Sequence, residues 1–333
     1  MTSDAENAKY PEFRNWLGGP GAVSEHTPPL DEQKRLTLID NVVDAIEAFY
    51  LDQSAAATIA AKLREKALEG VYNHISSCSE LASALTTDLQ ALSGDKHFRC
   101  LHGISHTEPS TEEQLARLQN IDYGFGDVKI IEGNIALMEI ILFAPVHWTG
   151  VRDRIRQVMQ NVSQADALVI DLRKSRGGDP KTVSLLASYL NENEDEGAWD
   201  EQKNPWLEMV HPSDNTTEKF PMTPPIEDTG FSTEKPVYIL TSPLTISGGE
   251  DLAYGLQARK RATVIGEKTA GAANLPRACV LPDGFILWVP HKYPVCPVTG
   301  GNWEGVGVRV DVAVSVAEAL ESAVRLAGEA LDM

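Results

Sequence analysis

The 333 residues suffice for one large domain or two of ordinary size, and 42% hydrophobic with 23% charged residues describes a soluble globular chain. Acidic residues outnumber basic ones 48 to 29, and the resulting net charge of -19 argues against nucleic acid or an anionic membrane as a partner. Cys78, Cys100, Cys279 and Cys296 lie far apart, with no CxxC and no zinc-type His/Cys spacing. They read as unpaired thiols of a reducing compartment, two bridges being the alternative. The N-terminus lacks a basic-then-apolar leader and nowhere is there an apolar run of about 18 residues, so a cytoplasmic protein is expected.

Residues 1–30, rich in Pro, Gly and charge, read as a mobile lead-in. From Asp31 the apolar residues recur at helical spacing (Leu36, Ile39, Val42, Val43, Ile46, Tyr50), then again over Ala55 to Ala67 and Leu81 to Leu92. Three helices are therefore predicted, forming an N-terminal helical domain over 31–93. Beyond Leu92 the texture changes. Tyr123 to Lys129 and Asn134 to Phe143 read as strands, Val151 to Met159 as an amphipathic helix, and Ala167 to Leu172 as a strand buried on both faces. A turn, Arg173-Lys-Ser-Arg-Gly177-Gly178, leads into a helix over Lys181 to Leu190. Strands alternating with helices predict an α/β layer architecture for 94–333. Residues 191–233 interrupt it with an acidic, Pro-rich segment carrying Trp199, Trp206, Met209, Phe220 and Phe231, which reads as a lid or binding loop. Strands at Ala262 to Gly266 and Phe285 to Val289, a loop over Pro297 to Val308 and a helix over Val316 to Leu331 complete the chain.

The chemistry concentrates in Lys235 to Glu267. An apolar strand, Val237 to Leu240, hands over through Ser242-Pro243 to Ser247, Gly248, Gly249 and a helical pattern. A serine at a strand-to-helix turn, with glycines leaving N–H groups open at a helix N-terminus, suits a hydroxyl nucleophile with an oxyanion donor beside it. The same Ser247-Gly-Gly-Glu250 also fits a capping box in which the serine is only an N-cap.

Four segments in order, DKHF at Asp95, ALVIDLRKSRGGDP at Ala167, VYILTSPLTISGGED at Val237 and GNWEGVGVRVDV at Gly301, with VIGEKTAGAA at Val264, resemble the tail-specific or C-terminal-processing protease superfamily. The branch matched is that of the interphotoreceptor retinoid-binding-protein-like serine peptidases, and the similarity covers about residues 30–330. It implies a crotonase-like core of stacked sheet and helices behind a small helical domain. One branch of the superfamily uses a Ser/Lys dyad, but Ala272 occupies the lysine position here. The branch resembling tricorn core protease uses a histidine and a glutamate, whose positions are filled by His97 and Glu304.

The resemblance thus implies that Ser247 attacks a carbonyl, His97 carries its proton and Glu304 orients the imidazole, with Gly248 and Gly177 or Gly178 as oxyanion donors worth about 3 kcal/mol each. Lys174, Arg176, Trp206 and Trp303 are the candidate substrate-binding residues. Lys174 and Arg176 stand where relatives often carry Glu-Asn-Gly, which suits a substrate bearing a carboxylate. A second departure puts Val310 where relatives have proline. No cofactor and no metal are expected. A peptide or small-molecule substrate is implied, and a homo-oligomer is left open. Two alternatives remain beside the peptidase: a small-molecule biosynthetic enzyme on the same fold, performing hydrolysis or cyclisation, and a carrier of a lipophilic, retinoid-like ligand.

Overall fold

The structure, a computed structural model, describes residues 30–103, 111–191, 205–222 and 230–332. Each of the first three helices begins at a side-chain cap. Asp31 accepts the Lys34 N–H at 2.8 Å and opens α1 (Glu32–Phe49). Asp52 accepts from Ser54 and Ala55 and opens α2 (Gln53–Leu68), and Ser77 accepts from Glu80 and opens α3 (Cys78–Ser93). Gly94, left-handed at φ 74, ends α3. There follow β1 (Arg99–His102), α4 (Thr111–Asn120), β2 (Lys129–Ile131), β3 (Ile135–Glu139) and α5 (Val151–Val162). Next come β4 (Ala167–Asp171), α6 (Pro180–Ser188), β5 (Pro205–His211), β6 (Thr216–Pro221), β7 (Val237–Thr241) and α7 (Gly248–Ala258). The chain closes with β8 (Thr263–Gly266), β9 (Leu275–Leu281), β10 (Phe285–Val295), β11 (Val312–Ala313) and α8 (Ala319–Leu331).

Two compact units divide these elements. Among the described residues, the first comprises residues 30–103, 211–216 and 274–293. Its three helices share one core with strands that come from far along the chain: Val42, Ile46, Ile59, Leu63, Leu81 and Leu85 lie buried with Phe98, Leu287 and Val289. β10 pairs antiparallel with β1 (Cys100↔Leu287) and with β9 (Leu287↔Cys279). The apolar stripe of the three helices is covered by strands that local periodicity does not reveal.

The second unit comprises, among the described residues, 111–191, 205–210, 217–222, 230–273 and 294–332. Its six-stranded sheet has the order β11-β8-β7-β4-β3-β2, parallel throughout except for antiparallel β2. β4 and β7 are buried at every residue, as their unbroken apolar runs require. Alternate residues Ala167, Val169, Tyr238, Leu240 and Ile265 face α8, which approaches through Ala319, Ala323 and Ala327. Small residues at every fourth position let that helix lie close to the sheet.

The mixed α/β class with a small N-terminal helical region is thus as expected. Two local expectations are corrected. Tyr123 to Lys129 is not a strand: Tyr123 and Gly124 take φ 57 and 89, and a Cβ on Gly124 would lie 2.1 Å from the Leu142 carbonyl oxygen, so the chain makes a tight 3₁₀ turn there. Within 191–233, β5 and β6 replace the expected lid over the described residues, and Trp206, Met209, Phe220 and Phe231 are buried in the protein. Trp199 and the lead-in lie outside the described residues. Among the described residues no helix is long and apolar enough to cross a membrane.

Leu63, fully buried on α2, tests the packing of the first unit. Leu63→Ala should lower the unfolding free energy by about 2–5 kcal/mol, read as a shift in the urea midpoint; an unchanged midpoint would show that the helices do not share this core.

Candidate active site

In the second unit, β4 and β7 are parallel neighbours, with Asp171 opposite Leu240, so the turns at their carboxyl ends emerge side by side. Three hydrogen bonds stitch them together. The Ser242 hydroxyl donates to the Arg173 carbonyl at 2.6 Å, the Thr245 hydroxyl to the Leu172 carbonyl at 2.8 Å, and the Ile246 N–H to the Ser175 carbonyl at 3.3 Å. The chain then reaches Ser247, the residue before α7, with φ 56 and ψ -119. A non-glycine residue in this region stores roughly 1–3 kcal/mol of strain, and strained serines at strand-to-helix turns are how nucleophile elbows present a hydroxyl.

The glycines beside Ser247 are there because nothing larger fits. A Cβ on Gly177 would lie 2.7 Å from the Ser247 Cβ and 2.9 Å from the Gly248 nitrogen, and one on Gly178 would lie 2.2 Å from the Phe143 carbonyl oxygen. Positive φ values, 82 and 137, add to the requirement for glycine at both. A Cβ on Gly248 would sit 3.0 Å from the Gly178 nitrogen, so the Gly177–Gly178 turn and the start of α7 are in close contact. The N–H groups of Gly177, Gly178 and Gly248 donate no hydrogen bond among the described residues.

Glu250 locks this arrangement from beneath. Its fully buried carboxylate accepts the Ser247 N–H at 3.0 Å, which is the glutamate half of the expected capping box, and then three further donors. These are the Thr269 hydroxyl at 2.5 Å, the Gly271 N–H at 2.6 Å and the Ala272 N–H at 2.9 Å. Burial pushes its pKa up, and the four donors pull against that. The same turn receives the next loop. Ala273 N–H donates to Glu304 at 2.6 Å, the Trp303 indole N–H to the Ala272 carbonyl at 3.1 Å, and Val308 N–H to the Thr269 hydroxyl oxygen at 2.7 Å. Ser247 and Glu304 are thereby tied to one turn through a chain of hydrogen bonds within one unit.

His97 belongs to the first unit. Its N–H donates to Asp95 at 2.8 Å, and its ring Nδ1 lies 3.6 Å from the same carboxylate oxygen.

The remaining candidates fall into different settings. Lys174 is exposed, its Nζ 3.8 Å from Glu139, and Arg176 is half-buried with its N–H on the Ile141 carbonyl. Trp303 and Trp206 are 2% and 1% exposed, so neither indole offers a face to a substrate here. Trp206 instead packs on α7: its N–H donates to Asp251 at 3.0 Å, the Arg259 guanidinium stacks on its ring at 4.5 Å, and a Cβ on Gly255 would meet the ring at 2.3 Å. Burial raises the Asp251 pKa to about 7, against the Trp206 hydrogen bond and the Arg259 charge. Sequence reasoning had no signal for Asp251, whose partner lies 45 residues away.

The family model described as peptidase family S41 matches residues 134–314, and that of the N-terminal domain of peptidase S41 in eukaryotic IRBP matches 32–122. Over 187 residues the chain is 22% identical to a carboxy-terminal-processing protease of Bartonella bacilliformis, a span of 55% of this chain and 39% of that protein. The structure is similar to a putative peptidase from Parabacteroides merdae, with a TM-score of 0.60 and 15% identity over 88% of this chain and 96% of the other. It is similar also to a photosystem II D1 C-terminal processing protease (0.52, 15%, 90% and 98%) and to the tricorn protease (0.59, 12%, 90% and 37%). At these identities the structural likeness is one of fold.

Two substitutions test the hydrogen-bond architecture. Glu250→Gln turns an amide toward two of the four donors, and should cost about 2–4 kcal/mol of stability; a loss below about 0.5 kcal/mol, within ordinary surface-mutation scatter, would contradict the bonding described. Asp251 has a folded pKa near 7 against about 3.9 unfolded, so its contribution to stability is full below pH 4 and is lost as pH rises through 7. Asp251→Asn should therefore gain about 2–3 kcal/mol relative to the parent between pH 5 and pH 8, measured by denaturant unfolding at both; a gap independent of pH would refute the shifted titration.

Proposed function

Because the chain belongs to peptidase family S41, a serine-type peptidase family, we propose that it is a serine peptidase acting on peptides or flexible C-terminal segments through Ser247, His97 and Glu304. The observation that carries this reading is the strained backbone of Ser247. A serine serving only as a helix cap needs extended backbone and has no use for φ 56, whereas a nucleophile held off the sheet by a sharp turn does.

The chemistry follows from the residues in place. The Ser247 hydroxyl attacks the scissile carbonyl carbon as His97 removes its proton. The C–N bond of the tetrahedral intermediate then breaks as the imidazolium protonates the leaving amine, and a water repeats the sequence on the acyl-enzyme. The negative charge that develops on the carbonyl oxygen is met by the unbonded N–H of Gly248 and that of Gly177 or Gly178, each worth about 10²–10³ in rate. Glu304, anchored by the Ala273 N–H, contributes a carboxylate charge that stabilises the imidazolium. Lys174 and Arg176, next to the glycine turn in sequence, suit a substrate ending in a carboxylate. The carboxy-terminal-processing name of the Bartonella relative supports the same substrate class, and this chain spans 39% of that protein's length.

A fluorophosphonate probe should label Ser247, mapped by mass spectrometry, and labelling should vanish in Ser247→Ala and in His97→Ala. Labelling elsewhere, or none, would overturn the nucleophile assignment. With labelling in hand, charge removal at Lys174 and Arg176 together should raise KM for peptides with a free C-terminus and leave amidated ones unaffected.

A further inference from the structure

Asp95 is 2% exposed and sits in the turn that Gly94 opens after α3. A carboxylate so placed must be matched by donors, and it is matched unevenly. Oδ2 accepts the side-chain amide of Asn274 at 2.8 Å, itself 6% exposed. Oδ1 accepts the His97 main-chain N–H at 2.8 Å and lies 3.6 Å from the His97 ring Nδ1. That Nδ1 is buried and bonded to no other atom among the described residues. Each carboxylate oxygen can accept two hydrogen bonds, so Oδ1 has capacity for one more.

A neutral imidazole beside this oxygen has two choices. With the proton on Nδ1, an N–H dipole points at the carboxylate; with the proton on Nε2, a lone pair faces a negative oxygen across 3.6 Å of buried space. The first is strongly preferred, and a small ring rotation brings 3.6 Å to hydrogen-bond length, a tightening common between resting and reacting sites. The consequence matters for a general base: Nε2 is left as the acceptor, and the imidazolium formed by proton transfer gains a charge partner. We propose that Asp95, held by Asn274, is a positioning residue that fixes His97 in the Nδ1–H tautomer. The proposal deepens the serine peptidase reading and rests on it for its catalytic meaning, although the tautomer can be read without any activity.

Asp95→Asn is suited to the test because an amide whose oxygen keeps the Asn274 hydrogen bond turns its NH2 toward the His97 ring, where it can bond Nδ1 only as a lone pair, and removes the charge. In the full chain carrying ¹⁵N-histidine, long-range ¹H–¹⁵N spectra above the pH of imidazole titration, with His97 assigned by its loss in His97→Gln, report the tautomer directly. The parent should show Nδ1–H and Asp95→Asn a shift to Nε2–H, with the fluorophosphonate labelling rate of Ser247 falling by about 10²–10⁴. An Nε2–H tautomer in the parent, or one unchanged in Asp95→Asn, overturns the proposal. Should Asp95→Asn not fold, Glu304→Gln decides: Nδ1–H retained there supports Asp95, and its loss transfers the role to Glu304. Absence of labelling in the parent defeats the peptidase reading alone, since the spectra still decide the tautomer.

Discussion

Everything around Ser247 hangs on one buried carboxylate. Glu250 has no exposure and four donors, two on each oxygen, drawn from Ser247, Thr269, Gly271 and Ala272. Burying a carboxyl group without partners costs far more than a domain can spare, so the side chain is tolerable only while all four donors converge on it. The constraint also runs the other way. Three of those donors are main-chain N–H groups that have no strand or helix partner, and they depend on Glu250 as it depends on them. Removing any one leaves a buried group unsatisfied, which is why a turn of small residues, Thr269-Ala-Gly-Ala-Ala, holds a defined shape with almost no side chain of its own.

That shape carries strain at a chosen point. The Ser247 backbone would relax toward an ordinary φ if its N–H were free to move, but the N–H is fixed by Glu250 below and the preceding residues are sewn to the β4 turn by Ser242, Thr245 and Ile246. Parallel pairing of β4 with β7 makes this stitching geometrically available, because the carboxyl ends of neighbouring parallel strands lie at the same level. The close approach of Gly177 and Gly178 to Ser247 and Gly248 then follows from the sheet, with side chains excluded by a few tenths to more than an ångström. Topology, not the motif alone, sets the N–H groups beside the serine.

What the sequence discloses and what it hides divide along contact distance. Capped helices such as α1 (Asp31, then Leu38, Ile39, Val42, Ile46) and doubly buried strands such as β4 write their character into consecutive residues, and these elements are found where expected. The capping box at Ser247 was legible for the same reason, its glutamate being three residues away. The other donors to Glu250 lie 19 to 22 residues further on, beyond any local pattern. β9 illustrates the same limit: Leu275–Leu281 carries Pro276 and Arg277 near its start and lacks clean alternation, and it is a strand because β10 runs beside it. Trp206 was read as a lid aromatic from its polar neighbours, yet a glycine on α7, Gly255, leaves the hollow that buries it.

Helix α7 shows how neighbouring acids diverge when their partners differ. Glu250 and Asp251 both lie in its first turn, where the helix dipole favours negative charge, and both are buried. Glu250 has four donors. Asp251 has the Trp206 indole N–H and the nearby charge of Arg259, whose guanidinium is itself engaged with the Pro205 and Trp206 carbonyls. One donor does not offset complete desolvation, so Asp251 holds its proton up to about pH 7. The helix that begins at Ser247 is therefore pinned by Glu250 through a dense set of donors, and by Asp251 through a contact whose charge changes near neutrality. A change in that charge loads the Trp206–Arg259 packing on α7 first, because both side chains face Asp251.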